Sequence, residues 1–189
     1  MNVEEAIEKR FSCRHFSDRK IPDEEIINVI NAARLAPSAH NRQNWAFMIL
    51  KGEEKNQLSR IMLSLFDGDY SHFPPFCKTS KVSAKVIENS SHAILCLKKK
   101  DDMWNTEDLL SIGAAIENML LEATSKGFAA LWIRDTFYTE DKIKEAFNIE
   151  EYDLVSVIAL GYPAREERQK PKKEINEILI NEGFKKNTL

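Results

Sequence analysis

With 189 residues and 21.8 kDa, the chain is long enough for one well-cored domain and too short for two of ordinary size. Its 43% hydrophobic and 30% charged residues fit a globular protein and exclude a disordered one, and 27 basic against 30 acidic side chains leave no broad positive field for nucleic acid. The opening MNVEEAIEKR lacks a signal-peptide core, and no run approaches the roughly 20 apolar residues of a membrane span, so a cytoplasmic protein without membrane contact is expected.

In chain order, Asn2 can cap a first helix carrying Val3, Ala6 and Ile7, with Glu5 completing a box-like start and the end near Arg10. The stretch RFSCRHFSDRK is irregular. Ile21-Pro22-Asp23 announces a second helix with Ile26, Ile27, Ile30, Ala33 and Leu35 on one stripe, stopped by Pro37. Trp45 to Leu50 (WAFMIL) predicts a buried strand, and Leu58, Ile61, Met62 and Leu65 predict a helix. Residues 67–76 (DGDYSHFPPF) read as a loop that presents apolar rings, a lid by composition.

A second strand follows at His92 to Leu97 (HAILCL). The longest helix comes next, expected to be capped by Thr106 with Glu107 and Asp108 in its first turn, striped by Leu109, Ile112, Ile116, Met119, Leu120 and Ala123, and closed by Gly127. Then come a strand over Ala129 to Ile133, a helix from Thr139 with Ile143, Ala146 and Phe147, and a strand over Leu154 to Leu160. A polar stretch at 162–173 precedes the apolar Ile175, Ile178, Leu179 and Ile180. Alternation of helix and strand by itself predicts a parallel α/β sheet.

The chemistry is narrowed by what is missing. No G-x-G-x-x-G or G-x-S-x-G occurs, against a Rossmann dinucleotide crevice, a P-loop or a hydrolase nucleophile elbow. Cys13, Cys77 and Cys96 are odd in number and widely spaced, so neither a disulfide framework nor a metal site is expected.

Two polar clusters remain. Arg10-Phe11-Ser12-Cys13-Arg14, if extended, puts two guanidinium groups and a hydroxyl on one face, suited to a phosphate monoester; taken alone it also fits a basic helix end beside its own dipole. The segment from Ala36 to Trp45 is rich in turn formers, and the amides of Asn41 and Gln43 offer donor and acceptor together, as the edge of a heterocycle requires; taken alone it is a capped turn.

Taken in order, R-x-S-x-R, A-P-S-A-x-N-x-Q-x-W, a long helix into G-F-A-A-L-W-I, then L-G-Y-P and a basic tail resemble the FMN-dependent nitroreductase family from about residue 4 to residue 173. The resemblance implies an α+β fold: a nitroreductase-like α/β/α sandwich with a mostly antiparallel sheet flanked by helices, replacing the parallel sheet. It implies one FMN-binding domain over 1–189 in an interlocked homodimer, with 162–189 as a tail reaching the partner. Ile175 to Ile180 would add to the partner's sheet, with each flavin between subunits.

Carried over by position, Arg10 and Ser12, with Phe11 between them, meet the FMN phosphate, and Arg14 lies near the phosphate or the pyrimidine end. Pro37, Ser38, Ala39, Asn41 and Gln43 form the flavin-contacting turn, and His40 faces substrate from it. Trp132 and Ile133 run along the flavin ring near N5, and Lys172 or Lys173, ahead of Arg165, supplies a second phosphate cation. Tyr70, Phe73, Phe76 and Trp104 wall the acceptor pocket. Two positions depart from the family pattern: Asn44 stands where proline is usual, and Glu117 where a neutral amide is common.

The implied activity is an FMN-dependent NAD(P)H oxidoreductase passing hydride from NADH or NADPH through flavin N5 to a small conjugated acceptor, a nitroaromatic or quinone, by a ping-pong mechanism. No catalytic side chain and no metal is required. The same resemblance leaves two alternatives: a different flavin reaction (dehalogenation, ring oxidation or flavin fragmentation), or a non-catalytic FMN-binding dimer.

Overall fold

The computed structural model describes residues 1–165 and 170–180, and it opens as the capping pattern requires. Helix α1 (Val3–Lys9) follows Asn2, whose side chain accepts the Glu5 backbone N–H at 2.9 Å. Helix α2 (Asp23–Arg34) begins after Pro22 with three acids in its first turn and buries Ile26, Val29 and Ala33. Ile27 and Leu35, expected on that stripe, are 56% and 67% exposed. At about 100° per residue Ile27 is turned away from Ile26, and Leu35 lies past the last helical residue.

Strand β1 (Trp45–Lys51) leads into helix α3 (Gly52–Leu63), which buries Leu58 and Met62; Leu65 falls beyond its end, in a 3-10 turn. Helix α4 (Thr79–Asn89) was not anticipated from the sequence; it buries Ser80, Ala84, Val86 and Ile87. Strand β2 (His92–Lys99) and helix α5 (Asn105–Ser125) follow.

Thr106 does not cap α5. The turn before the helix is instead held by Asp101, whose Oδ1 accepts the backbone N–H groups of Met103 and Trp104. The buried stripe of α5 starts with Asp108, Ser111 and Ile112, and Leu109 faces outward. Gly127, at φ +76°, closes the helix end in the left-handed conformation expected of it. Strand β3 (Ala129–Ile133), helix α6 (Glu140–Phe147), strand β4 (Tyr152–Gly161) and the short helix α7 (Ile175–Ile178) complete the described elements.

The four strands run in the order β1-β2-β4-β3, each antiparallel to its neighbours, so the parallel sheet suggested by alternation is wrong and the antiparallel one implied by the resemblance is right. Two of the connections account for the directions they link. Between β1 and β2 the chain makes two helical passes, α3 and α4, and an even number of passes returns it to the end it left. The single pass of α5 joins β2 to β3, which run the same way but are separated by β4.

Side chains alternate to two cores. On one face Ile94, Cys96, Ala130, Ile158 and Leu160 pack with Ile26, Val29 and Ala33 of α2 and Ile112, Ile116 and Met119 of α5. On the other, Leu95, Leu97, Leu131, Val157 and Ala159 pack with α3, α4 and Ile143 of α6. Central β2 is buried from His92 to Lys98, whereas edge strand β1 is only half-buried from Trp45 to Ile49. No helix among the described residues is long and apolar enough to cross a membrane.

Candidate functional site

The RFSCR segment lies against the outer edge of β3. Ser12 bridges Ala130 in parallel fashion, and the Cys13 N–H donates to the Ala130 carbonyl at 2.9 Å. A second bridge, Phe16 to Pro163, and the Ala164 N–H on the His15 carbonyl at 2.9 Å fasten the bend to the end of β4. The approach is close: a Cβ on Gly161 would stand 2.7 Å from the Phe16 ring, so glycine is needed for the bend to seat.

This seating carries Arg14, through a bond from its Nη1 to the Ser12 carbonyl at 3.1 Å, to a cavity of about 350 Å³. Trp132 and Ile133 line the same cavity, with Thr79, Ser83 and Asp135. The Asp135 Oδ2 accepts the hydroxyls of Thr79 and Ser83 at 3.0 and 2.9 Å, which ties α4 to the end of β3. Because the Ala130 carbonyl points off the sheet edge, strand alternation turns the N–H and C=O of Trp132 the same way, beyond the Ser12 bridge. Thr79 and Ser83 of α4, and Asp135 just after β3, had no site assignment in the sequence.

Arg10 points elsewhere, to Glu117 on α5 at 3.7 Å, and Phe11 is half-buried. Arg165 comes to the bend, its guanidinium 3.2 Å from the His15 ring, one residue from Arg14. Lys172 and Lys173 are exposed, in the irregular stretch before α7. Residues 166–169 and 181–189 of the expected tail lie outside the described residues.

The second cluster is a turn built on strained backbone. His40, Asn41 and Gln43 have φ of 49°, 56° and 50°, left-handed values rare for residues other than glycine. The Ser38 Oγ accepts the Gln43 N–H at 3.0 Å, and the Gln43 side-chain amide donates to the Asn41 Oδ1 at 3.1 Å, leaving both amide side chains exposed. Pro37, Ser38 and Ala39 line a shallow cavity of about 310 Å³ with Glu107, Leu110, Ser111 and Ala114 of α5.

Beneath the turn the Arg42 guanidinium grips Asp108 through both carboxylate oxygens, at 3.1 and 3.2 Å, and also meets Asp101. Burial would push the Asp108 carboxyl up, but hydrogen bonds from Arg42 and Asn44 outweigh it and hold the group below the usual carboxylate range. The same contacts raise the Arg42 pKa and lower that of Asp101.

The aromatic residues assigned to one acceptor pocket fall in two places within a single chain. Phe73 and Phe76 gather around Tyr138, and Tyr70 sits on Phe66, while Trp104 meets His40 edge to face at 5.2 Å beside the strained turn. The Arg14 cavity and the turn cavity share no lining residue. Among the described residues no group of His, Cys, Asp or Glu is arranged to hold a metal ion, and Cys13, Cys77 and Cys96, all buried, form no disulfide.

The chain is similar to several known proteins. A protein from Archaeoglobus fulgidus, provisionally named NADH dehydrogenase/NAD(P)H nitroreductase, is 33% identical over 167 residues, covering 83% of each chain. A protein of the same name from Methanothermobacter thermautotrophicus is 32% identical over 168 residues, covering 87% of this chain and 78% of that one. The crystal structure of a protein provisionally described as a nitroreductase from Desulfovibrio desulfuricans, in complex with FMN, superposes with a TM-score of 0.79 at 21% identity, covering 96% of this chain and 97% of that one. The sequence profile of the Nitroreductase family matches residues 7–162, a span that holds the bend, the strained turn, the long helix and all four strands, and the chain therefore belongs to the nitroreductase family.

Proposed function

We propose that the chain is an FMN-dependent NAD(P)H oxidoreductase acting on a small conjugated acceptor. The observation that carries the reading is the pairing, on one chain, of a sheet-edge cavity holding a guanidinium and open main-chain groups with a preformed turn of outward amides. The names of the two archaeal relatives and the FMN in the Desulfovibrio structure support it.

The residues present fit such a cofactor. FMN needs a cation for its phosphate and a flat slot whose edge offers both donor and acceptor groups. Arg14 supplies a guanidinium, the Trp132 N–H and C=O supply the two edge groups, and the Thr79 and Ser83 hydroxyls stand nearby. Bound FMN would supply the two-electron chemistry that links a reduced nicotinamide to the acceptor.

The chain's own contribution is binding and orientation. Arg14 and Ser12 hold the charged end, the β3 edge aligns the ring, and Asn41 and Gln43 recognise a heterocycle edge. Donor and acceptor use the same open face in turn, a ping-pong order in which no side-chain acid or nucleophile is needed. Nitroaromatics and quinones match the aromatic surfaces of Phe73, Phe76, Tyr138 and Trp104.

Since the two cavities share no lining residue, we assign the turn of one chain to the sheet edge of a second copy, making the homodimer the working unit. The place of β1 at the end of the sheet and the exposed Ile175, Ile178 and Ile180 support a tail that crosses to the partner's sheet. The deciding experiment is an absorption spectrum of purified protein before and after anaerobic NADH or NADPH. A flavin spectrum that bleaches is expected. Protein that is colourless and takes up no added FMN would end the proposal, and bound flavin that neither nucleotide reduces would leave only a flavin-binding dimer.

A further inference from the structure

Building on the flavin reading, we propose that Arg42, Asp108, Asp101 and Asn44 form a positioning clamp that fixes the 38–44 turn in its ligand-receiving shape, so that flavin affinity depends on side chains that do not touch the flavin. Left-handed backbone at three non-glycine residues in a span of four persists only where surrounding structure holds it. The Ser38–Gln43 bond closes the turn on itself but does not attach it to the body of the protein.

Attachment comes from Arg42. It lies between Asn41 and Gln43, so its inward anchoring leaves the two amides facing out. Its planar fork meets both oxygens of Asp108, a residue of the first turn of α5 that is only 2% exposed, and a fork engaged at two points fixes direction as well as distance. Asp101, in the link before α5, takes a further bond from the same guanidinium. The Trp104 ring has Arg42 on one side, 5.2 Å from its centroid, and His40 at its edge.

Asn44 adds the last tie. Its Nδ2 donates to the Asp108 Oδ2 at 2.6 Å and to the Lys99 carbonyl at 3.0 Å, joining the turn to α5 and to the end of β2. A proline here would stiffen the turn by fixing φ but would bring no side-chain donor. Asn44 instead supplies cross-links. The Ala39 N–H, donated to the Ser111 Oγ at 3.3 Å, marks a second point where α5 sets the turn.

The test is FMN titration of apo protein, followed by flavin fluorescence quenching, with melting temperature and dimer mass measured in parallel. Arg42→Lys keeps the charge but loses the fork and should raise the FMN Kd about three- to tenfold. The double variant Arg42→Gln/Asp108→Asn removes both charges together, avoids stranding a buried one, and should raise it roughly tenfold or more on folded protein. If the double variant does not fold, Asn44→Ala, which keeps the ion pair, carries the test with an expected rise of roughly threefold.

A merely structural clamp would lower the melting temperature and leave the Kd of the folded fraction within twofold of wild type, and that result overturns the proposal. Should Arg14→Ala weaken FMN binding while every clamp variant binds normally, the flavin reading stands and the clamp falls. Wild-type protein that binds no FMN removes both.

Discussion

Replacing Arg14 by alanine separates the electrostatic account of the site from a merely topological one. The side chain is exposed, its Nη1 rests on the Ser12 carbonyl at 3.1 Å, and it lines the β3-edge cavity. Truncation at an exposed position changes folding stability by about 0.5 kcal/mol or less. A charge-assisted bond to a phosphate contributes about 1.5–3 kcal/mol, and at roughly 1.4 kcal/mol per decade the FMN Kd should rise about 10- to 150-fold.

Titrating the apo variant with FMN and with riboflavin locates the contact. If Arg14 meets the phosphate, FMN binding weakens and riboflavin binding does not; if it serves the pyrimidine end, both weaken. Arg14→Lys should lie between wild type and alanine, since it keeps a point charge without the fork. FMN affinity within threefold of wild type in Arg14→Ala would refute the reasoning, because a cation at this cavity would then have no anion to answer it.

Three further outcomes are expected. The folded state holds Asp108 and Asp101 below the usual carboxylate range, so their contribution to stability is fully present above about pH 4 and is lost as pH falls below that toward their depressed folded-state values; urea midpoints measured from pH 7 to pH 3 should drop less steeply in Arg42→Gln/Asp108→Asn than in wild type. Burial pushes the Cys96 thiol up to about 12, and Cys13 and Cys77 are buried as well, so a disulfide thiol reagent at pH 8 should modify none of the three in native protein and all three in denaturant. Gly161→Ala must displace the Phe16 ring from 2.7 Å, costing about 1–3 kcal/mol, and should lower the melting temperature by several degrees while weakening FMN through the bend that carries Arg14; an unchanged melting temperature would mean that the ring yields freely.

The sequence by itself determined the local grammar of this protein. Asn2 as a cap, Gly127 as a left-handed helix end and the apolar runs at 45–50, 92–97, 129–133 and 154–160 were all legible, because caps, stops and short buried strands depend on side chains next to one another in the chain. Helix α4, which buries Ser80, Ala84, Val86 and Ile87, was not anticipated. Strand direction was legible only through family resemblance, as helix-strand alternation does not report how many helical passes return the chain to the same end of a sheet.

The site divided the same way. The residue types of the two clusters could be read directly, whereas tertiary structure decided that Arg14 and Trp132 share a cavity, that Arg10 turns to Glu117, and that Thr79, Ser83 and Asp135 join the site. It also decided that Arg42, unremarkable in the sequence, reaches 66 residues along the chain to a buried carboxylate. The physical reason is that a hydrogen bond or ion pair depends on distance in space and on burial, and neither is encoded in the spacing of residues that lie on different elements.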